Sequence, residues 1–371
     1  MNPTFARAVW WLSILALSTT PVDAQRWRVQ YFYDQDKSHL EIVDLQFPSA
    51  ARGLAVGVIV EGKHQQPTSV VTSDGGGHWQ LVPLKEIPVS LFFLNENVGW
   101  LVTTKGLWQT LEMGKTWTKL PKPPGDIYRV HFADENNGWA VGPKKTVLET
   151  HDGGQKWTHL AVTDQQPGQA NYSAYTWISF ATPQLGLITG WNVPPRNSFT
   201  QHPDWIDPEA AMRRRDAPHL SYTLYTRDGG KTWGQNSVSL FGIVSKIRMK
   251  GNGDGLGLIE YGSSFRYPSE AYALDWKTGK SRSVYKDSKF AGSDVWLTST
   301  GTSYISGHVP QGELGGIIPG KVKVLMSTDM VKWDPIEVDY RAEALRTFLA
   351  APNDDNLWMA TNTGMILKLQ R

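Results

Sequence analysis

Thr72-Ser73-Asp74-Gly75-Gly76-Gly77-His78-Trp79 returns as Thr150-His151-Asp152-Gly153-Gly154-Gln155-Lys156-Trp157 and again as Thr226-Arg227-Asp228-Gly229-Gly230-Lys231-Thr232-Trp233. In Thr110-Leu111-Glu112-Met113-Gly114-Lys115-Thr116-Trp117 the acid is Glu112; Ser327-Thr328-Asp329-Met330-Val331-Lys332-Trp333 is one residue shorter and lacks the Gly. The octad has the chemistry of a hairpin turn. Its carboxylate accepts backbone N–H groups in the bend, its Gly takes a positive φ, and its Trp opens the next strand as a packing wedge. Five copies argue for structure, because one active site needs only one. Asp74, Trp79, Glu112, Trp117, Asp152, Trp157, Asp228, Trp233, Asp329 and Trp333 are therefore read as structural. Trp79, Trp117 and Trp157 lie 38 and 40 residues apart, the length of a four-stranded propeller blade.

A second motif lies upstream of the octad. Phe132-Ala133-Asp134-Glu135-Asn136-Asn137-Gly138-Trp139 matches Phe93 to Trp100, and Phe47 to Gly53 and Phe180 to Gly186 keep the spacing. Each is a first strand, a polar turn and a second strand. The expected fold is all-β, a seven-bladed β-propeller of four-stranded antiparallel blades. Six blades fall at about 40–84, 88–121, 126–162, 171–240, 243–287 and 292–339. The fifth replaces the octad with a hairpin at Leu274 to Lys280. Residues 343–371 offer only three strands, and Trp27-Arg28-Val29-Gln30-Tyr31-Phe32 resembles the missing fourth. The N-terminal strand is thus expected to complete the C-terminal blade and leave no open edge.

Composition agrees with this architecture. The 371 residues include 35 Gly, 22 Pro and 17 Trp but only 19% charged residues, which suits short strands and tight turns. A formal charge of +2 is too balanced for a nucleic-acid binder. With no cysteine, disulfides, thiolate metal sites and cysteine nucleophiles are excluded. Residues 1–24 read as a signal peptide: Arg7, the apolar run Ala8 to Leu17, then Val22-Asp23-Ala24 as a small-x-small cleavage site. That run is about half of what a spanning helix needs. The mature chain, 25–371, is expected to be one propeller without an integral membrane segment, exported to a periplasm or secreted. A secreted chain without disulfides fits a bacterial periplasm.

The octads resemble the Asp-box, or BNR, repeats of sialidases and sortilin-type propellers. The combined Phe-x5-Gly-Trp and Thr-x-Asp-Gly-Gly-x-x-Trp pattern is similar to the Ycf48/Hcf136-like family of photosystem II assembly-factor propellers and their bacterial relatives. The resemblance covers about 40–240 and implies a propeller used as a binding or assembly scaffold.

Function is sought on the face that carries the strand 2–3 and 4–1 connections, since long loops carry sites. Enlarged strand 2–3 loops are expected at about 61–69, 192–220, 261–270 and 308–321. The 192–220 insertion holds five prolines and a short helix from Asp207 to Arg215, and groups Trp205 with Arg213, Arg214 and Arg215. Two readings stand: a docking patch with an aromatic anchor beside charge, or a solvated insertion over its own blade. A second basic set, Arg129, Lys246, Arg248 and Arg346, falls on expected first strands lining the central channel. It is either a binding site or a set of salt bridges. Enzyme motifs are missing: no Gly-x-Ser-x-Gly elbow, no His-Glu-x-x-His, and no assignable sialidase triad. Neither a metal nor a cofactor is expected. The leading expectation is a non-enzymatic scaffold with a protein partner in the cell envelope. The alternative is a sialidase-like glycoside hydrolase acting on carbohydrate, which would need paired carboxylates from Glu260, Glu270, Asp204 or Glu313.

Overall fold

The computed structural model describes residues 25–195, 218–262, 265–310 and 319–371. The signal-peptide segment lies outside the described residues, as do Trp205, the expected helix with Arg213, Arg214 and Arg215, and the carboxylates Asp204 and Glu313.

Five four-stranded antiparallel sheets follow one another, each with its strands in chain order. The first comprises His39–Gln46, Gly53–Glu61, His64–Thr72 and Gln80–Pro83. The others open with the strands Pro88–Phe93, Arg129–Phe132, Ser173–Phe180 and Ile243–Met249. A nine-stranded sheet contains two further runs of four. One runs from Ala291–Leu297 to Asp334–Val338; the other is Thr347–Ala350, Trp358–Thr361, Met365–Gln370 and, beside it, Arg26–Phe32. The N-terminal strand pairs antiparallel with Met365–Gln370, from Arg26 opposite Gln370 to Phe32 opposite Met365. It also meets the preceding run in a short parallel bridge, Arg26 opposite Glu337 and Trp27 opposite Val338. The architecture is all-β and that of a β-propeller.

The order of strands is written in their burial. Second strands such as Gly99–Thr103 and Gly138–Val141 are buried at every residue, as strands covered on both faces must be. Fourth strands such as Lys280–Lys286 are largely exposed. Each first strand touches the first strand of the next sheet, and Thr347–Ala350 touches His39–Gln46. The first strands therefore surround a common axis.

Two glycine positions explain the repeat. In Phe132-x5-Gly138 the two residues face each other across the first hairpin, and a Cβ on Gly138 would stand 2.5 Å from the Phe132 ring. The Gly leaves room for the ring. In the octad, the Thr150 hydroxyl accepts the Gly154 N–H at 3.0 Å while Asp152 accepts the Lys156 N–H at 2.8 Å. Thr72/Asp74 and Thr226/Asp228 repeat both bonds. The two turn glycines adopt φ of 75° and 93° at Gly153 and Gly154. Where the sequence lacks a Gly, Met113 and Met330 still take φ of 59° and 55°, so the turn geometry outlasts its favoured residue.

The aromatic residues join neighbouring sheets. Trp100 stacks on Phe132 at 3.6 Å, and Trp157 meets that Phe edge-on. Trp139, Phe180 and Trp233 form the same triad one sheet on. Trp358, Phe47 and Trp79 form it between the end of the chain and its beginning.

Two expectations need correction. The 61–69 segment is not an enlarged loop: Gly53–Glu61 and His64–Thr72 stay paired up to Glu61 opposite His64, with Gly62 at φ 58° in the turn. Its polar residues are exposed strand ends that project beyond the core. Arg346 lies one residue before Thr347–Ala350 rather than on it, because the Asn362 side chain accepts its N–H and that of Leu345.

Candidate functional site at the inner ring

The shared register of the first strands places one residue of each in the same layer. Counting three residues back from Phe47, Phe93, Phe132 and Phe180 gives Asp44, Ser90, Arg129 and Trp177. The equivalent pairings give Lys246 (opposite Leu258), Asp294 (opposite Ser306) and Thr347 (opposite Thr361). A register shift immediately precedes Asp44, Ser90, Trp177, Lys246 and Asp294. Such bulges bend a strand and re-aim the side chain that follows.

Trp177 is the centre of this layer. It is 4% exposed, and its indole N–H donates to the Ile247 carbonyl at 2.9 Å, which fixes the ring between two first strands. Three cations meet that ring: the Lys246 ammonium at 4.2 Å, the Arg129 guanidinium at 4.6 Å and the Arg248 guanidinium at 5.1 Å from its centroid. Arg248, two residues beyond Lys246 and so on the same strand face, also covers Trp296 at 4.5 Å. A desolvated cation on an indole gains up to about 2 kcal/mol. That attraction does not cancel the mutual repulsion of the three. Burial pushes the Lys246 ammonium down to about 8, with Asp294 and Asp44 opposing the shift and Arg129 and Arg248 adding to it. Burial likewise lowers Arg248.

The carboxylates of the layer serve the backbone. Asp44 accepts the N–H groups of Leu45 and Leu91, each at 2.9 Å, and lies 3.3 Å from Arg129. Asp294 does the same for Val295 at 2.8 Å and Leu349 at 2.9 Å. Each Asp thus ties its own first strand to that of the next sheet. His131, stacked against Phe180 at 4.7 Å, is held down to about 3 by burial and stays neutral.

A cleft of about 490 Å³ is lined by Arg129, Trp177 and Lys246 of this layer together with Trp191, Phe241 and Tyr261. Arg346 stands at its mouth in an ion pair with Glu260, at 2.8 and 3.3 Å. Phe241 is 47% exposed. Trp191 and His219, also in the lining, lie to either side of the 196–217 segment. Of the four basic residues expected here, the structure brings Arg129, Lys246 and Arg248 onto one ring and places Arg346 on the rim. Sequence reasoning missed Trp177, Asp44 and Asp294; counting back from the motif Phe gives the first two, whereas Asp294 lies in a sheet without that Phe and emerges only from its pairing with Ser306.

The described carboxylates near the cleft are engaged. Glu260 is paired with Arg346. Burial works against the charge of Glu270, yet hydrogen bonds from Ser283 and Tyr261 hold its carboxyl below the usual range. Among the described residues no group of three or more His, Asp or Glu side chains could hold a metal ion.

Fold and repeat define a class, the Asp-box β-propellers, here with cations and aromatic rings at its axis. The family described as photosynthesis system II assembly factor YCF48 matches residues 74–168 and 124–192. The photosystem II assembly protein Ycf48 of Thermosynechococcus vestitus is 22% identical over 292 residues, covering 72% of this chain and 79% of that protein. The photosystem II stability/assembly factor HCF136 of Cyanidioschyzon merolae is 35% identical over 72 residues, 18% of this chain and 16% of that protein. The solved structure of YCF48 bound to D1 peptide superposes with a TM-score of 0.58 at 14% identity, covering 92% of this chain and 99% of that one. The chain is thus similar to Ycf48-like propellers, in sequence over residues 74–192 of the family match and in fold over most of its length.

Proposed function

We propose that the chain is an exported, non-enzymatic propeller of seven blades that binds a protein partner and assists assembly of a complex in the cell envelope. Its docking face is the one that carries the cleft. The count of seven treats the nine-stranded sheet as two blades; the pairing of Arg26–Phe32 with Met365–Gln370 supports closure of the last blade by the N-terminal strand. The Trp358, Phe47 and Trp79 triad supports the same reading. Export rests on the signal-peptide pattern of residues 1–24; among the described residues no helix is long and apolar enough to cross a membrane. The assembly role is supported by the relatives, which are named as photosystem II assembly proteins, one of them solved with a peptide.

The observation that carries the docking face is the cleft itself, where aromatic rings stand beside Lys246, which has no carboxylate within ion-pair distance among the described residues. An aromatic anchor next to a cation is the usual make-up of a binding hot spot. The sequence between the cleft-lining Trp191 and His219 also holds Trp205, Arg213, Arg214 and Arg215, residue types of the same chemistry.

The test is quantitative cross-linking in the native envelope with two variants, Phe241→Asp and a chain whose 196–217 segment is replaced by a short turn like Gly142 to Thr146. Both are expected to keep the wild-type unfolding midpoint: Phe241 is 47% exposed, and shortening a connection between strands costs little. Both are expected to lose the partner that wild type captures. Equal capture by both variants would move the docking face elsewhere.

A further inference from the structure

The inner ring carries more positive charge than its own carboxylates neutralise. Arg129, Lys246 and Arg248 crowd one indole, while Asp44 and Asp294 are the acids of that layer. Both acids already accept two backbone N–H groups each. Among the described residues, the single carboxylate within ion-pair distance of these three cations is Asp44, 3.3 Å from Arg129. Lys246 and Arg248 have none, and the Nε of Arg248 is buried without a hydrogen-bond partner. A buried donor on a charged group is costly to leave unmatched.

These cations surround one indole. All three cations lie within 5.1 Å of the Trp177 centroid, and two of them, Arg129 and Lys246, line the open cleft. Two guanidinium forks and one ammonium around an apolar platform make a receptor for a compact anion with several acceptor oxygens. We propose that an oxyanion binds at the inner ring between Arg129, Lys246 and Arg248, over the face of Trp177. The ligand chemistry is that of phosphate or sulfate, or of a carboxylate that presents the same oxygens. The site shares Arg129 and Lys246 with the docking cleft, but a free anion needs no partner protein.

Purified protein is titrated calorimetrically with inorganic phosphate, sulfate and acetate, each against chloride at matched ionic strength. Saturable binding with one site per chain is expected. Phosphate and sulfate alone would identify a free tetrahedral anion; acetate binding as well would identify the carboxylate form. Arg248→Met should weaken the affinity by more than about tenfold, the loss of one charge-assisted hydrogen bond. Its unfolding midpoint in chloride should not fall, because the substitution removes an unmatched buried charge. Should that variant fail to fold, Lys246→Gln provides the same comparison. The proposal is overturned if none of the three anions binds beyond the chloride control, or if the folded variants bind as tightly as wild type. Loss of the docking partner leaves this result unaffected, so the two readings fail separately.

Discussion

Gly230 combines two demands in one residue. Its φ is 85°, and a Cβ there would stand 2.2 Å from the Trp139 ring of the preceding sheet. Gly279, in the hairpin that replaces the octad in the fifth sheet, has φ 68° but nothing within 4 Å of a Cβ. Gly279→Ala should cost about 1–2 kcal/mol, the left-handed penalty alone. Gly230→Ala should cost about 1–3 kcal/mol more, from overpacking against the indole. Urea unfolding of the two variants checks the difference, and equal losses would remove Trp139 from the explanation. Lys246 gives a pH-dependent counterpart. The folded chain releases this proton near 8, whereas the side chain ordinarily does so at 10.5. Between those values the unfolded state holds more protons, so the lysine's contribution to stability rises with pH; below 8 the burial penalty is felt in full. Arg129, Arg248, Asp44 and Asp294 surround it. Lys246→Met should therefore be more stable than wild type at pH 7, and its advantage should shrink by pH 10. A constant difference between the two would contradict the assignment.

At the scale of elements, what was legible is what turns require. The octad and the Phe-x5-Gly motif stand out because hydrogen bonding, positive φ and ring packing each admit few residue types. The starts of the first four sheets could be placed from them. The fifth sheet kept an Asp hairpin, with Asp275 accepting the N–H of Lys277 at 2.9 Å and the hydroxyl of Thr278 at 2.7 Å. Strand length was less legible. The polar run from Glu61 to Gln66 looked like a loop, but strands that project beyond the core carry polar residues on both faces. The inner ring was legible only in part. Arg129, Lys246 and Arg248 were visible as charges on first strands, whereas Trp177 looked like any core aromatic. Its role depends on a bulge between Tyr175 and Trp177 that decides which way the side chain points. Alternation alone does not reveal an extra residue of that kind.

For the molecule as a whole, the cleft, the cations and the aromatic triads depend on the sheets being held in a ring. A ring of blades is as strong as the seam where the chain ends meet. In the proposed closure that seam rests on Trp27, fully buried among Leu349, Leu357 and Leu367, and on the ladder from Arg26 to Phe32. Leaving it open would expose a sheet edge and disperse the layer in which Asp294 accepts the Leu349 N–H. The absence of native cysteine makes the seam directly measurable. Arg28 stands opposite Lys368 in the ladder, and residues paired across antiparallel strands lie about 4.5–5.5 Å apart at Cα, within disulfide range. The decisive measurement is oxidation of the Arg28→Cys/Lys368→Cys double variant, followed by thiol counting and urea unfolding. The account expects both thiols to be lost in monomeric protein and stability to rise by roughly 2–4 kcal/mol, the usual gain from linking distant parts of a chain. Two thiols that stay free in folded, oxidised protein would contradict closure of the ring by the N-terminal strand.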